Sequence, residues 1–459
     1  MNKDFINDLI NLLGKENVIS DKESLHCYSY DATADVPSEM PDVVVTPKIR
    51  DHVINIVKYA AKHKIPIYTR GAGTNLSGGT IPIRKGIVMS MLKMNKILEI
   101  DAENLTATVE PGVIIQDLNN AVAKHGLIYP PDPGTVTTAT MGGSVAENSG
   151  GLRGLKYGVT KHYVMGLEVV LANGEVMKCG GKTVKNVTAY DMVKLFTGSE
   201  GTLGIITEII VKLIPAPEDR KSMLAAFNNL DDAAKTITGI IANKVIPATL
   251  EIMDNVTIKT VENYAKVGLP VEAEAVLLIE VDGLPEVVAK EAEAVARVCK
   301  ENNGELRIAE TAEEREKLWT ARRAALPSLA QVSPTTVLED ATVPRSRIPD
   351  MLKALKEIAK KYDLTIGTFG HAGDGNLHPT ILTDERNKEE MERVHKAVDE
   401  IFAVALDLGG TLSGEHGIGI AKMKYLEQEF GPAGVEAMKA IKRALDPDNI
   451  FNPGKVVNI

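Results

Sequence analysis

Ile65-Pro66-Ile67-Tyr68-Thr69-Arg70-Gly71-Ala72-Gly73-Thr74-Asn75-Leu76-Ser77-Gly78-Gly79 is the stretch from which the rest of this chain is read. A short run rich in β-formers ends at Thr69 and passes directly into glycines at 71, 73, 78 and 79. Backbone N–H groups in such a loop can converge on an anion with no Cβ in the way. A Rossmann fingerprint would need glycine where Leu76 stands, and a P-loop would need a closing Gly-Lys-Ser/Thr, so both are excluded. Alone, the loop also fits a structural turn.

Upstream, Pro41-Asp42-Val43-Val44-Val45 reads as a strand, and Val53, Ile56, Val57 and Ala60 form one face of a helix. This strand–helix–strand order predicts that 41–45 and 65–69 pair in parallel through a crossover. Downstream, strands are expected at 86–91, 105–110 and 167–171, with Asn173-Gly174 as a hairpin signal.

Two more glycine- and hydroxyl-rich runs follow. Pro130 to Gly151 has almost no charge and no element pattern, and Gly198-Ser199-Glu200-Gly201-Thr202-Leu203-Gly204-Ile205-Ile206-Thr207 is the other. A structureless stretch of more than about 20 residues usually has a functional reason. Three such stretches in one half of the chain predict an extended, partly anionic ligand, with a set of β-arch turns as the bland alternative.

The chain has 459 residues, with 62 acidic and 52 basic side chains and a net charge of −10. That length suggests two or three domains. The acidic balance argues against a nucleic-acid partner, since phosphate contact needs clustered Lys and Arg. Cys27, Cys179 and Cys299 stand far apart, which excludes a four-thiolate zinc or iron–sulfur site and fits a reducing compartment. The first twenty residues read as an amphipathic helix with Asp4, Asp8 and Glu16, unlike a signal peptide. No apolar run approaches the roughly 18–20 residues of a membrane span. The expected location is the cytoplasm.

Leu213-Ile214-Pro215-Ala216-Pro217 marks the expected domain boundary. Beyond it, strands at 223–227 and 276–281 alternate with helices at 230–244 and 286–302, the pattern of an antiparallel sheet backed by helices. The fold class expected is α+β, divided into 1–215, a second domain 216–424 and a returning segment 425–459.

Nine histidines are present, and three fall in two compact motifs. Phe369-Gly370-His371-Ala372-Gly373-Asp374-Gly375-Asn376-Leu377-His378 sets two imidazoles on either side of a tight turn between two expected strands. Ser413-Gly414-Glu415-His416-Gly417 adds a neighbouring carboxylate and imidazole. Two His and one Glu match a three-ligand divalent metal site with an open position, although Glu415-His416 alone also fits a surface ion pair.

These motifs resemble the FAD-linked oxidases that share the vanillyl-alcohol oxidase fold, over nearly the whole chain. The likeness is strongest to the glycolate oxidase catalytic subunit and FAD-dependent D-lactate dehydrogenase branch, especially the lactate dehydrogenase subunits that work with an electron-transferring flavoprotein in anaerobes. The resemblance implies a two-subdomain FAD-binding domain followed by an α+β cap.

It implies that Arg70, Gly71, Ala72, Gly73, Thr74, Asn75, Leu76 and Ser77 hold the diphosphate. Pro131, Asp132, Thr138, Met141, Gly142, Gly143, Ala146, Ser149, Gly150, Gly151, Gly154, Tyr157 and Gly158 would enclose the cofactor, as would Glu200, Gly201, Gly204, Ile205 and Ile206. Asn452 would return to the flavin ring. Thr74 stands in the diphosphate loop and neither flanking loop carries His or Cys, so FAD is expected to be non-covalent.

By the same resemblance His371, His378 and Glu415 bind a divalent metal (zinc, iron or manganese) and His416 is the base. Arg322, on a helix through Trp319-Thr320-Ala321-Arg322-Arg323, is the cation for the substrate carboxylate. The implied reaction takes a proton from a 2-hydroxy acid and moves the Cα hydride to flavin N5, with a metal acidifying the hydroxyl and an imidazole of ordinary pKa about 6.5 accepting the proton.

Thr380, two residues after His378, stands where 2-hydroxyglutarate enzymes of the family carry Asn. A short substrate is therefore expected, D-lactate oxidised to pyruvate, with glycolate or 2-hydroxyglutarate as alternatives. The expected electron acceptor is an electron-transferring flavoprotein with α and β subunits, used in bifurcating or confurcating complexes; a homodimer is a further expectation. Other readings are a non-catalytic flavoprotein subunit, which would lack the His/His/Glu set, and a metal hydrolase, which would not need three glycine loops.

Overall fold

The structure is a computed structural model that describes residues 3–459. The chain divides into two compact units: residues 3–149, 159–216 and 415–459 form the first, and 150–158 and 217–414 the second. The chain thus returns to the first unit at Glu415, ten residues before the expected point, and residues 150–158 group with the second unit.

In the first unit, a four-stranded sheet runs in the order Val18–Ile19, Val43–Val45, Ile87–Ser90, Ile67–Arg70. The expected direct pairing of the strands at 43 and 67 does not occur. Both pair in parallel with Ile87–Ser90, which lies between them. All four residues of that strand are buried, and a strand covered on both faces belongs at the centre of a parallel sheet. Helix Arg50–His63 covers the sheet with Val53, Ile56, Val57 and Ala60, the predicted apolar face, all fully buried. Phe5, Leu9 and Leu13 from helix Lys3–Leu13 enter the same core.

A five-stranded antiparallel sheet follows, in the order Ile97–Asp101, Thr106–Val109, Ile205–Lys212, Val164–Val170, Val176–Gly180. The last two form the hairpin at Asn173-Gly174, where Gly174 takes the left-handed φ of 78° that the turn needs. The run from 130 to 151 is not structureless throughout. Thr140 accepts a hydrogen bond from Gly143 N–H and opens a short helix, Met141–Glu147. Two glycines in seven residues hid this helix from a propensity reading.

The second unit is built on an antiparallel sheet in the order Glu305–Ile308, Asp219–Phe227, Ala275–Gly283, Thr249–Asp254, Thr365–His371, Asn376–Thr383, Thr335–Leu338, with Ala341–Thr342 pairing beside the last turn. Strand alternation sends its side chains to two cores. Met223, Ala225, Phe227, Leu277, Ile279 and Val281 face helices Leu230–Ala242, Pro285–Glu301, Ile348–Tyr362 and Lys388–Asp407. Leu224, Val276, Leu278 and Met253 face helices Asn255–Ala265 and Ala312–Arg323. Helices therefore cover both faces of this sheet. Each wholly buried Leu, Ile or Phe contributes roughly 1.5–3 kcal/mol relative to exposure.

Candidate functional site

In the first unit, the glycine loops meet around one cavity. Its walls include Thr69, Gly71 and Gly79 from the first loop, Thr140, Gly142, Gly143, Ala146 and Glu147 from the second, and Ser199, Glu200, Gly201, Gly204 and Ile206 from the third. The loops need glycine because they approach so closely: a Cβ at Gly71 would fall on Thr140 Oγ1, and one at Gly142 on Pro111. The Arg70 side chain is used internally, donating to Tyr30 O at 2.7 Å and to Thr80 Oγ1 at 3.2 Å. Glu200 adopts a left-handed φ of 51° between Gly198 and Gly201, and its carboxylate accepts from Ile418 and Gly419 N–H, both at 2.7 Å.

Asn452, also left-handed at φ 41°, donates through Nδ2 to Gly79 O at 2.8 Å and Glu200 O at 2.7 Å. It ties the first and third loops together. Lys455, which sequence reading passed over, is 1% exposed and donates to Gly78 O and Ile81 O. Burial brings its pKa down to about 7 against the opposing pull of Asp31, Glu200 and Glu147.

In the second unit, strands Thr365–His371 and Asn376–Thr383 form the hairpin that carries both motif histidines. His378 lies opposite Phe369 and His371 opposite Asn376, so both imidazoles share a face as diagonal neighbours. Their ring centroids are 5.2 Å apart and the planes perpendicular. The turn closes with Gly375 N–H donating to His371 O, and Gly375 takes φ 90°.

Glu251, on the neighbouring strand, lies 2.7 Å from His371 Nδ1 and accepts from Arg322 Nε at 2.5 Å. Its side chain is 1% exposed. Burial would raise its pKa, but His371 and Arg322 outweigh that and hold it below the ordinary carboxylate range. A carboxylate on Nδ1 favours the tautomer whose lone pair is on Nε2, as a metal ligand requires.

The Arg322 guanidinium also lies 4.9 Å from the centroid of the Phe369 ring. The wholly buried Asp340 is 3.9 Å from His378 Nδ1 and accepts from Ser413 Oγ at 2.6 Å. Glu251 and Asp340 carry no local signal in the sequence; their place follows only from strand pairing. Within the same unit, Tyr157 Oη donates to Asp282 at 2.7 Å, and a Cβ at Gly154 would press on Asp374.

With this geometry in view, comparison with known proteins decides the family. A model of the C-terminal domain of FAD-linked oxidases matches residues 216–456, and a model of an FAD-binding domain matches 41–180. The chain belongs to the FAD-linked oxidase family.

Among its relatives, the glycolate oxidase subunit GlcD of Bacillus subtilis is 55% identical over 455 residues, covering 99% of this chain and 97% of that protein. The D-lactate dehydrogenase of Anaerostipes hadrus is 37% identical over 440 residues, covering 94% and 92%. The fold also matches p-cresol methylhydroxylase, with a TM-score of 0.81 at 21% identity over 99% of this chain and 96% of that one. The two-part FAD-linked oxidase architecture, an FAD-binding unit and an α+β unit, is therefore shown.

The first unit of this FAD-linked oxidase suits its cofactor. Ser77 Oγ and Asn452 Oδ1 are buried polar atoms with no partner in the protein, on or beside the loops that wall the cavity, as are Thr69 Oγ1 and Asn75 Nδ2. Buried polar groups of this kind call for a hydrogen-bonding occupant. The predicted loop residues 70–77, 141–146 and 200–206 all lie in this unit, whereas Gly150, Gly151, Gly154, Tyr157 and Gly158 lie in the other. Among the described residues, no helix is long and apolar enough to cross a membrane.

Proposed function

We propose that this protein is an FAD-dependent dehydrogenase of short 2-hydroxy acids, with D-lactate as the first substrate. The observation that carries this reading is the buried Arg322–Glu251–His371 chain, placed beside His378 in a chain that also bears an FAD-binding domain. A non-catalytic flavoprotein subunit would have no use for such an oriented imidazole pair.

FAD supplies the two-electron acceptor. His371 and His378 would hold a divalent cation, which would supply Lewis acidity to a substrate hydroxyl; Glu415 is the third ligand that the family resemblance implies. Glu251 holds the His371 ring in one tautomer and orientation, and Arg322 balances the charge of Glu251. His416 takes the hydroxyl proton. Because the Nε–H of Arg322 already serves Glu251, its terminal N–H groups are the ones available for a substrate carboxylate.

Thr380 is fully buried, with its Oγ1 donating to His378 O at 3.3 Å. Its side chain offers no amide or cation to a second carboxylate, which supports a monocarboxylic substrate. Glycolate is the second reading, favoured by the 55% identical glycolate oxidase subunit. Thr74 stands in the diphosphate loop and the two flanking loops carry no His or Cys, which supports non-covalent FAD. Electrons then pass to a protein partner, for which an electron-transferring flavoprotein is our candidate.

The test is anaerobic addition of D-lactate, L-lactate, glycolate, malate and 2-hydroxyglutarate in turn, following loss of flavin absorbance. Fast bleaching by D-lactate is expected. Preference for 2-hydroxyglutarate overturns the substrate assignment, and reduction of other acceptors but not an electron-transferring flavoprotein overturns the partner.

A further inference from the structure

Helix Ala312–Arg323 of the second unit has little apolar surface to hold it on the sheet. Seven of its twelve residues are charged, and only Leu318, Ala321 and Arg322 are buried. Polar contacts fasten its last two turns. Trp319, the single tryptophan of the chain, donates through Nε1 to Glu280 Oε2 at 3.0 Å and lies 3.3 Å from Ser222 Oγ. Ser222 Oγ itself donates to Glu280 Oε2 at 2.6 Å. One turn later, Arg322 Nε donates to Glu251.

The two carboxyl groups stand on adjacent strands. Glu280 pairs with Ser222 on one side and with Thr249 on the other, and Glu251 lies two residues beyond Thr249, so all four side chains share one face of the sheet. Ser222 and Glu280 are almost wholly buried. Leu224, Leu278 and Met253 of the same face share a core with Leu318 and Ala321 of the helix. Trp319 and Arg322, three residues apart, lie on the same side of that helix. The helix is therefore fastened to the sheet at two polar points one turn apart.

A single hydrogen bond at Nε leaves the long Arg322 side chain room to swing about Glu251. A second anchor on the same helix removes that freedom, because the backbone that carries Arg322 can no longer slide along the sheet. We propose that Trp319 is a positioning residue for the substrate carboxylate: its indole N–H, bound to Glu280, fixes the helical turn from which Arg322 presents its terminal N–H groups. Glu280 and Ser222 serve the same task through the indole. The proposal rests on Arg322 being the cation that binds the substrate carboxylate.

The test uses the holoenzyme and propionate, which has the carboxylate of lactate and no hydroxyl to oxidise. Trp319 emission is expected to change saturably as propionate is added, and Arg322→Met to abolish the change. Trp319→Phe keeps an aromatic ring and loses the N–H. Its KM for D-lactate and its inhibition constant for propionate are expected to rise about tenfold, the scale of one buried hydrogen bond lost. Its kcat is expected to stay within about twofold, since the carboxylate is held equally in the ground and transition states. Glu280→Gln, whose amide oxygen still accepts from the indole, is expected to keep both constants near wild type, and Glu280→Leu to match Trp319→Phe. Wild-type emission that does not move at propionate concentrations that inhibit overturns the proposal, even should Trp319→Phe fail to fold. An unchanged KM in Trp319→Phe overturns it too, as does Glu280→Gln as impaired as Glu280→Leu. If no 2-hydroxy acid reduces the flavin and propionate leaves the emission unmoved, the carboxylate reading beneath it falls instead.

Discussion

Glu251 Oε1 lies 2.7 Å from His371 Nδ1, and the other oxygen of the same carboxylate takes the Nε–H of Arg322. One buried anion thus fixes an imidazole and a guanidinium that come from different elements. Glu251→Gln keeps the shape and removes the charge. For the cation proposed at His371, the expected outcome is about a 10–100-fold loss of affinity, the usual effect of removing a metal ligand's supporting partner. Elemental analysis after dialysis against graded chelator reads it, with flavin content as the control for folding. Full metal retention would show that Glu251 does not orient His371.

Lys442 fastens the C-terminal segment in the first unit. Its Nζ donates to Thr202 O, Phe451 O and Asp446 Oδ2. Lys442→Met leaves the wholly buried Asp446 without its cation, with only the N–H groups of Ile450 and Phe451 still donating to it, and breaking a buried pair from one side costs up to about 3–5 kcal/mol. It also loosens the segment carrying Asn452. Lower thermal stability and faster FAD release are expected, and a double change with Asp446→Asn should recover part of the stability. Chemical denaturation of the single and double variants measures it.

Asp254 caps helix Asn255–Ala265, accepting from Thr257 and Thr368 N–H, both at 2.9 Å. Burial pushes its pKa up to about 6 despite those donors. A carboxyl group whose folded pKa exceeds its unfolded value binds more protons when folded, so its contribution is fully present below about pH 4 and lost as pH rises through about 6. At about 1.4 kcal/mol per pKa unit, this amounts to roughly 3 kcal/mol. Unfolding free energies of the wild type and Asp254→Asn across pH 4–7 should therefore show the wild type losing ground as pH rises. A constant difference would contradict it.

Local patterns were legible in the sequence wherever they matched a structural period. The apolar face of 50–63, the Asn173-Gly174 hairpin and the strands flanking His371 and His378 all follow from residue spacing. The three glycine loops were recognisable because only glycine permits backbones to approach so closely, as at Gly71 and Gly142. What sequence could not supply was lateral order. Ile87–Ser90 enters between the strands at 43 and 67 because of burial on both its faces, a property of the assembled sheet. Glu251 and Asp340 sit in ordinary strand and loop contexts, and only strand pairing brings them to the histidines. Lys455 read as a turn residue until its carbonyl partners were placed.

The central claim is that substrate electrons enter the flavin of this chain from a short 2-hydroxy acid, with His416 accepting the proton. Stopped-flow absorbance of the holoprotein, mixed anaerobically with D-lactate, measures that step directly. Rapid bleaching is predicted, slowed by about 100-fold or more in His416→Ala, within the range lost on removing a general base. If dithionite bleaches the flavin while D-lactate, glycolate and the other 2-hydroxy acids all leave it oxidised, the account is contradicted.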